Sequence, residues 1–134
     1  MKGILIFLLT IGLFLLSASA EGADWKLIAT SKEGDTLYID TGSIRHISKT
    51  VVRAWTKQVL KKPELSGSKE IVESLGYEEY DCAEMKKHNL QITFRYSDGT
   101  SDSITNPNPA KDWSYITPDT VNSAIHDYLC KKGK

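Results

Sequence analysis

The clearest hydrophobic pattern in the chain is the alternation of apolar and polar residues over segment 90–96. Apolar side chains occupy every second position, namely Leu90, Ile92, Phe94 and Tyr96. A period of two is typical of a strand with one buried and one solvated face, as in an antiparallel sheet. The sequence Asp98-Gly99 then indicates a hairpin turn, so segment 101–105 is predicted to be the return strand.

Four further segments carry the β-branched and aromatic residues of strands: 25–30, 36–40, 50–62 and 113–116. Gly34-Asp35 predicts a hairpin turn between the first two. Segment 50–62 is expected to stop at Pro63, and segment 65–69 is expected to be a polar loop. Segment 70–82 is interpreted as extended because of Gly76 and its tyrosines, although its glutamates would also suit a helix.

A single amphipathic helix is predicted near the C-terminus. Apolar residues recur there with helical spacing, namely Val121, Ala124, Ile125, Tyr128 and Leu129. Thr117 is the expected N-cap and Pro118 the first helical residue. The predicted fold class is α+β: an antiparallel sheet of about six strands with one C-terminal helix packed on it.

The first residues have the layout of a secretory signal peptide. Lys2 precedes the apolar run Ile4 to Leu16, and Ala18-Ser19-Ala20 is a small-residue cleavage pattern. A transmembrane anchor is the alternative, but it requires roughly 20 apolar residues. We therefore predict a cleaved signal peptide at 1–20 and a single domain at 21–134, with no membrane span after cleavage. Because no cysteine follows the apolar run, a lipid anchor is not expected.

The chain has two cysteines, Cys82 and Cys130. In an exported protein, such a pair predicts one intramolecular disulfide, which here would staple the C-terminal helix to the region around Cys82. The alternative is a redox-active pair. Redox pairs usually have the spacing Cys-x-x-Cys, so the long separation favours a structural bridge.

Charge and motifs exclude several classes of function. Lys and Arg number 17 and Asp and Glu number 17, so the chain lacks the basic excess expected for nucleic-acid binding. The three histidines show no ligand spacing such as His-x-x-x-His, and no metal or other cofactor is expected. His126-Asp127 is expected to be solvated on the polar side of the helix.

No catalytic motif is present, and the protein is not expected to be an enzyme. The adjacent Glu78 and Glu79 would face opposite sides of a strand, so they do not form an acid/base pair.

Binding surfaces need no motif, and aromatic residues dominate contact energetics. Trp55 and Trp113 are expected to pack in the core. The candidate binding surface consists of four residues, namely Tyr77, Tyr80, Lys86 and Lys87.

The order of features resembles one family of small exported proteins. The features are Trp25, Leu37-Tyr38-Ile39-Asp40 with Ser43-Ile44, Val51-Val52-Arg53-Ala54-Trp55, Tyr80-Asp81-Cys82, Trp113, Ile116-Thr117-Pro118 and Leu129-Cys130-Lys131. Together, from about Asp24 to Lys131, they resemble the bacterial surface-adhesin protein E-like domain family. The resemblance implies a sheet of about six antiparallel strands, one C-terminal helix and the Cys82–Cys130 bridge.

The resemblance also implies a function, namely binding to host extracellular-matrix and serum proteins, and allows for homodimers. The founding adhesin is a lipoprotein, whereas this chain lacks the lipid-attachment cysteine. A periplasmic or secreted protein is therefore expected rather than one displayed on the cell surface. The leading hypothesis is an exported, non-enzymatic binding protein with extracellular or envelope proteins as partners. The alternative is a soluble periplasmic protein that binds a small ligand or serves envelope maintenance.

Overall fold

The computed structural model describes residues 22–132. Its elements follow in chain order: β1 Trp25–Thr30, β2 Thr36–Asp40, β3 Arg45–His46, β4 Val51–Ser66, β5 Lys69–Asp81, β6 Lys86–Tyr96, β7 Ser101–Thr105, β8 Ser114–Tyr115 and α1 Val121–Lys132. Short 3-10 turns lie at Thr41–Ser43 and Pro109–Lys111. The predicted signal peptide at 1–20 lies outside the described residues.

The strands form one antiparallel sheet in the order β1-β2-β4-β5-β6-β7. The two short strands are additions to this path, because β3 pairs with β4 and β8 pairs with β6. Successive long strands are hairpin neighbours, as short connections between alternating segments require. The predicted α+β fold, with its single C-terminal helix, is confirmed.

The hairpin of β4 and β5 is longer than predicted. Strand β4 continues past Pro63, and the predicted loop at 65–69 reduces to a tight turn in which Gly67 has φ +62°. The ladder between the two strands is irregular from Val59 to Glu64, so Pro63 lies where regular pairing is already interrupted. The prediction that Pro63 ends the strand was therefore wrong.

The core lies between the helix and one face of the sheet. Its buried residues alternate along the strands and meet the helical apolar stripe, namely Leu37, Ile39, Val52, Ala54, Tyr80, Ile116, Ile125 and Leu129. This is the arrangement expected when one side of an antiparallel sheet is covered by an amphipathic helix.

The helix begins three residues later than predicted. Asp119 has φ +58°, a left-handed conformation that a helix cannot include. Thr120 and Ser123 then cap the first turn reciprocally: the Ser123 amide donates to Thr120 Oγ1 at 3.3 Å and the Thr120 amide donates to Ser123 Oγ at 3.0 Å. Thr117 was predicted as the cap because both threonines have the same chemistry.

Candidate functional site

The face of the sheet opposite α1 carries a row of aromatic and cationic side chains. Because side chains alternate along a strand, Ala54 and Thr56 lie under the helix and Arg53, Trp55 and Lys57 point to the other side. We call this surface the open face and define it by Trp25, Tyr38, Arg53, Trp55, Lys57, Tyr77, Glu79, His88 and Trp113.

At one end of the open face, a lysine lies between two aromatic rings from neighbouring strands. Lys57 Nζ is 4.5 Å from the ring centroid of Trp25 and 4.9 Å from that of Tyr38. Both distances fall in the range of cation–π contacts. Three strands, β1, β2 and β4, therefore contribute to one cluster of partly buried rings around a cation.

The next pair along the sheet is stacked. The rings of Trp55 and Tyr77 lie 4.8 Å apart at 18° to each other, and the Arg53 guanidinium is 5.6 Å from the Tyr77 centroid. Trp55 and Tyr77 are direct partners in the β4–β5 ladder, so the register of the hairpin places the two rings together.

Glu79 organises the far end of the open face. Its carboxylate accepts from Arg53 Nη2 at 2.8 Å and contacts His88 Nε2 at 2.6 Å. The His88 ring also contacts the Pro109 carbonyl through Nδ1 and stacks on Trp113 with centroids 3.7 Å apart. Burial alone would raise the pKa of Glu79, but the hydrogen bonds from His88 and Arg53 outweigh it and hold that pKa below its usual value.

A depression of about 460 Å³ lies beside the aromatic rings. Its lining includes both tryptophans of this region and the Arg95 side chain, and consists of Ala23, Trp25, Asp40, Trp55, Leu75, Thr93 and Arg95. Apolar rings with a few polar groups are the usual lining of a site that accepts a side chain or a small molecule.

The four residues of the predicted binding surface do not lie together. Tyr77 is on the open face, but Tyr80 is fully buried on the helix side, because three positions along a strand reverse the direction of a side chain. Lys87 is also on the helix side, where it contacts Asn122, whereas Lys86 lies 4.7 Å from the ring of the exposed Tyr115.

The open face also contains residues that sequence reasoning either missed or assigned elsewhere. Trp55 and Trp113 were expected in the core, and both are only partly buried on the open face. Lys57 and Tyr38 were not included in the predicted binding surface. The signal was the run Arg53-x-Trp55-x-Lys57, whose alternation assigns three large side chains to one face of a strand.

Below the helix, Glu78, Tyr80 and Lys87 form a buried polar cluster. Tyr80 donates its hydroxyl to Glu78 Oε2 at 2.5 Å, and Lys87 Nζ lies 3.0 Å from Glu78 Oε1. Burial and the neighbouring Glu78 carboxylate raise the pKa of Tyr80 well above its ordinary value. Glu78 thus lies on the opposite side of β5 from Glu79, as predicted.

The predicted disulfide between Cys82 and Cys130 is present and ties the turn after β5 to the last turns of α1. His126 lies one helical turn before Cys130, and its residue is only 4% exposed. The expectation that His126 is solvated was wrong, because it packs against the bridge rather than facing water. Asp127 beside it is exposed.

Within residues 22–132, no helix has the length and apolar character needed to cross a bilayer.

Comparison with known proteins agrees with this architecture. Haemophilus influenzae protein E in its crystal form II superposes with a TM-score of 0.58 at 20% identity, over 86% of this chain and 97% of that chain. Another structure of H. influenzae protein E gives a TM-score of 0.55 at 18% identity, over 79% of this chain and 84% of that chain. A comparison with curated proteins gives no match. The family model described as Surface-adhesin protein E matches residues 25–131, and the chain therefore belongs to the surface-adhesin protein E family.

Proposed function

We propose that the protein is an exported, non-enzymatic binding protein that attaches to extracellular or envelope proteins through its open face. Its mature form is the single domain 21–134, released into the periplasm or the medium after cleavage of the signal peptide. The observation that carries this proposal is the continuous series of aromatic and cationic side chains from Trp25 to Trp113 on the side of the sheet opposite the helix.

The composition of the open face supports protein binding. Tryptophan, tyrosine and arginine are enriched at protein interfaces and supply most of the residues whose loss weakens binding. Here they come from Trp55, Tyr77 and Arg53, which already contact one another in the free protein. A preformed cluster loses little side-chain freedom on binding, so more of the contact energy contributes to affinity.

The family to which the chain belongs supports the adhesin-like class of function. The same face would also serve a homodimer.

A second candidate is binding of a small ligand, which the depression of about 460 Å³ beside Trp25 and Trp55 favours. Its volume lies within the range of ligand sites, and its lining combines aromatic rings with a few polar groups.

The test uses the mature protein and a double variant, Trp55→Ala with Lys57→Ala, in solid-phase binding to a panel of extracellular-matrix, serum and envelope proteins. The matched control is Leu65→Ala, which removes a side chain that is 74% exposed in the β4–β5 hairpin, outside the open face. Loss of two central contacts is expected to weaken binding about 10-fold or more, and the control is expected to bind as the wild type does.

Two results would contradict the proposal. One is the absence of saturable binding to every member of the panel. The other is that the double variant and Leu65→Ala bind equally, while both unfold at the same temperature as the wild type. Binding of a small molecule that is lost in the double variant, without protein binding, would favour the second candidate.

A further inference from the structure

A histidine and two cysteines converge where the C-terminal helix is tied to the sheet. One ring nitrogen of His126 and the sulfurs of Cys82 and Cys130 all lie within 4.8 Å of one another. His126 and Cys130 are four residues apart on α1, so they occupy the same side of the helix. Two ligands at i and i+4 on a helix, with a third from a neighbouring loop, is a common way to assemble a metal site.

One nitrogen of the His126 ring makes no contact that accounts for its burial. This atom, Nε2, is buried and has no hydrogen-bond partner among the described residues. A buried polar atom without a partner has an energetic cost, and it is rare unless a ligand or function accounts for it.

The other ring nitrogen is oriented as in many metal-binding histidines. His126 Nδ1 lies 3.3 Å from Asp127 Oδ1, so the carboxylate can accept a hydrogen from Nδ1. A hydrogen bond from Nδ1 to this carboxylate requires the tautomer in which Nε2 carries a lone pair, and carboxylates hydrogen-bonded to metal-binding histidines favour the same tautomer. The unpartnered Nε2 is then the nitrogen available to an ion.

We propose that reduction of the Cys82–Cys130 disulfide exposes a Cys₂His site for a thiophilic d¹⁰ ion, Zn²⁺ or Cu⁺. The reductant is a dithiol: it transfers two electrons and two protons to the bridge, which becomes two thiols, while the dithiol is oxidised to a disulfide. Each cysteine then releases its proton on binding the ion, and His126 donates the lone pair of Nε2. Two thiolates and one imidazole suit three-coordinate Cu⁺, or Zn²⁺ with water as its fourth ligand.

The proposed site does not bind an ion while the disulfide is intact, because the two sulfurs are then bonded to each other and neither is a thiolate. Binding of an ion after reduction would hold α1 against the turn that follows β5, where the covalent bridge held it before. The inference is independent of the proposed function, since none of its three ligands belongs to the open face.

The experiment compares the oxidised protein with protein reduced by a phosphine and desalted without oxygen. Co²⁺ is the optical probe for Zn²⁺, and Cu⁺ is titrated against a chromophoric chelator. Metal content after dialysis gives the stoichiometry. We expect one equivalent of ion in the reduced protein, none in the oxidised protein, and thiolate-to-cobalt charge-transfer absorption in the Co²⁺ form.

Two variants separate a built site from adventitious thiol binding. His126→Gln removes the nitrogen ligand and is expected to weaken binding at least 10-fold, and Asp127→Asn is expected to weaken it about 10-fold. The matched control is His46→Gln, which replaces an exposed histidine and is expected to bind as the wild type does. Circular dichroism of each reduced form, with and without ion, reports whether the ion restores the helix.

The proposal is overturned if the reduced wild type binds no ion, if it binds equally in His126→Gln, or if the oxidised protein binds as well as the reduced protein. It is also overturned if reduction unfolds the chain and neither ion restores the helix. Ion-dependent recovery of the helix that requires His126 would support it.

Discussion

Replacing Tyr80 by phenylalanine tests the buried polar cluster under the helix. The change keeps the ring, which is fully buried, and removes only the hydroxyl that donates to Glu78 Oε2 at 2.5 Å. Phenylalanine leaves that carboxylate oxygen buried without its donor, although Lys87 still contacts the other oxygen at 3.0 Å. A hydrogen bond to a charged group contributes about 1.5–3 kcal/mol, so the variant is expected to lose about 2 kcal/mol of unfolding free energy at neutral pH.

The same residue predicts how this difference changes with pH. The pKa of Tyr80 in the folded protein lies well above the ordinary value of 10.0. Above pH 10, the unfolded chain releases the phenolic proton while the folded protein retains it. The folded state then binds more protons, so rising pH lowers its stability by about 1.4 kcal/mol per pH unit. Tyr80→Phe lacks this proton. The difference in unfolding free energy between the wild type and the variant should therefore become smaller as the pH rises above 10.

The assay is urea unfolding followed by tryptophan fluorescence, at neutral pH and at intervals through the alkaline range. Tyr115→Phe is the matched control, because Tyr115 is 76% exposed and its loss is expected to change stability little. Equal stability of Tyr80→Phe and wild type at neutral pH would refute the strength assigned to the hydrogen bond. A constant difference through the alkaline range would refute the argument from the buried neutral phenol.

Three other predictions concern the bridge, the open face and the helix cap. The double variant Cys82→Ser with Cys130→Ser opens a loop with a sequence separation of 48. Because the unfolded chain gains conformational entropy, the unfolding free energy measured in urea should fall by up to about 4 kcal/mol. A decrease under about 1 kcal/mol would contradict this. Because the folded-state pKa of Glu79 is lowered, its carboxylate stabilises the folded protein at a pH above its ordinary pKa of 4.5, and this stabilisation is lost as the pH falls. In Glu79→Gln, the unfolding free energy should therefore fall less steeply than in the wild type between about pH 5 and 3. An equal fall in both proteins would contradict this role of Glu79. Thr120→Ala removes the acceptor for the Ser123 amide. The unfolding free energy should fall by about 1 kcal/mol, which thermal unfolding reports as a lower melting temperature. An unchanged melting temperature would show that the cap contributes little.

Local periodicity was sufficient to predict most of the elements. The alternation at 90–96 and the Asp98-Gly99 turn depend on neighbouring residues alone. The return strand at 101–105 formed with the predicted bounds, whereas the strand before the turn begins at Lys86, four residues earlier than predicted. The disulfide could also be predicted from the sequence, because two cysteines in a chain expected to be exported allow one intramolecular pairing.

The composition of the site could not be predicted in the same way, because it depends on which strands become neighbours. Lys57 joins Trp25 and Tyr38 only once β1, β2 and β4 are adjacent. The ladder between β5 and β6 also shifts after Tyr77, so pairing beyond that point does not follow from counting residues. His126 borders the apolar stripe, and its burial follows from the attachment of Cys130 to the turn after β5.

The covalent loop from Cys82 to Cys130 also determines how the protein would respond to mechanical tension. Force applied between residues 24 and 132 passes along β1 to β5, crosses the sulfur–sulfur bond and leaves through the last residues of α1. The segment between the two cysteines, with a sequence separation of 48, carries no load and cannot be drawn out. Roughly 160 Å of chain is thereby withheld from extension, at about 3.3–3.6 Å per residue. A domain pulled in this direction would yield in its first five strands, while β6, β7 and β8 could separate from them without lengthening the molecule.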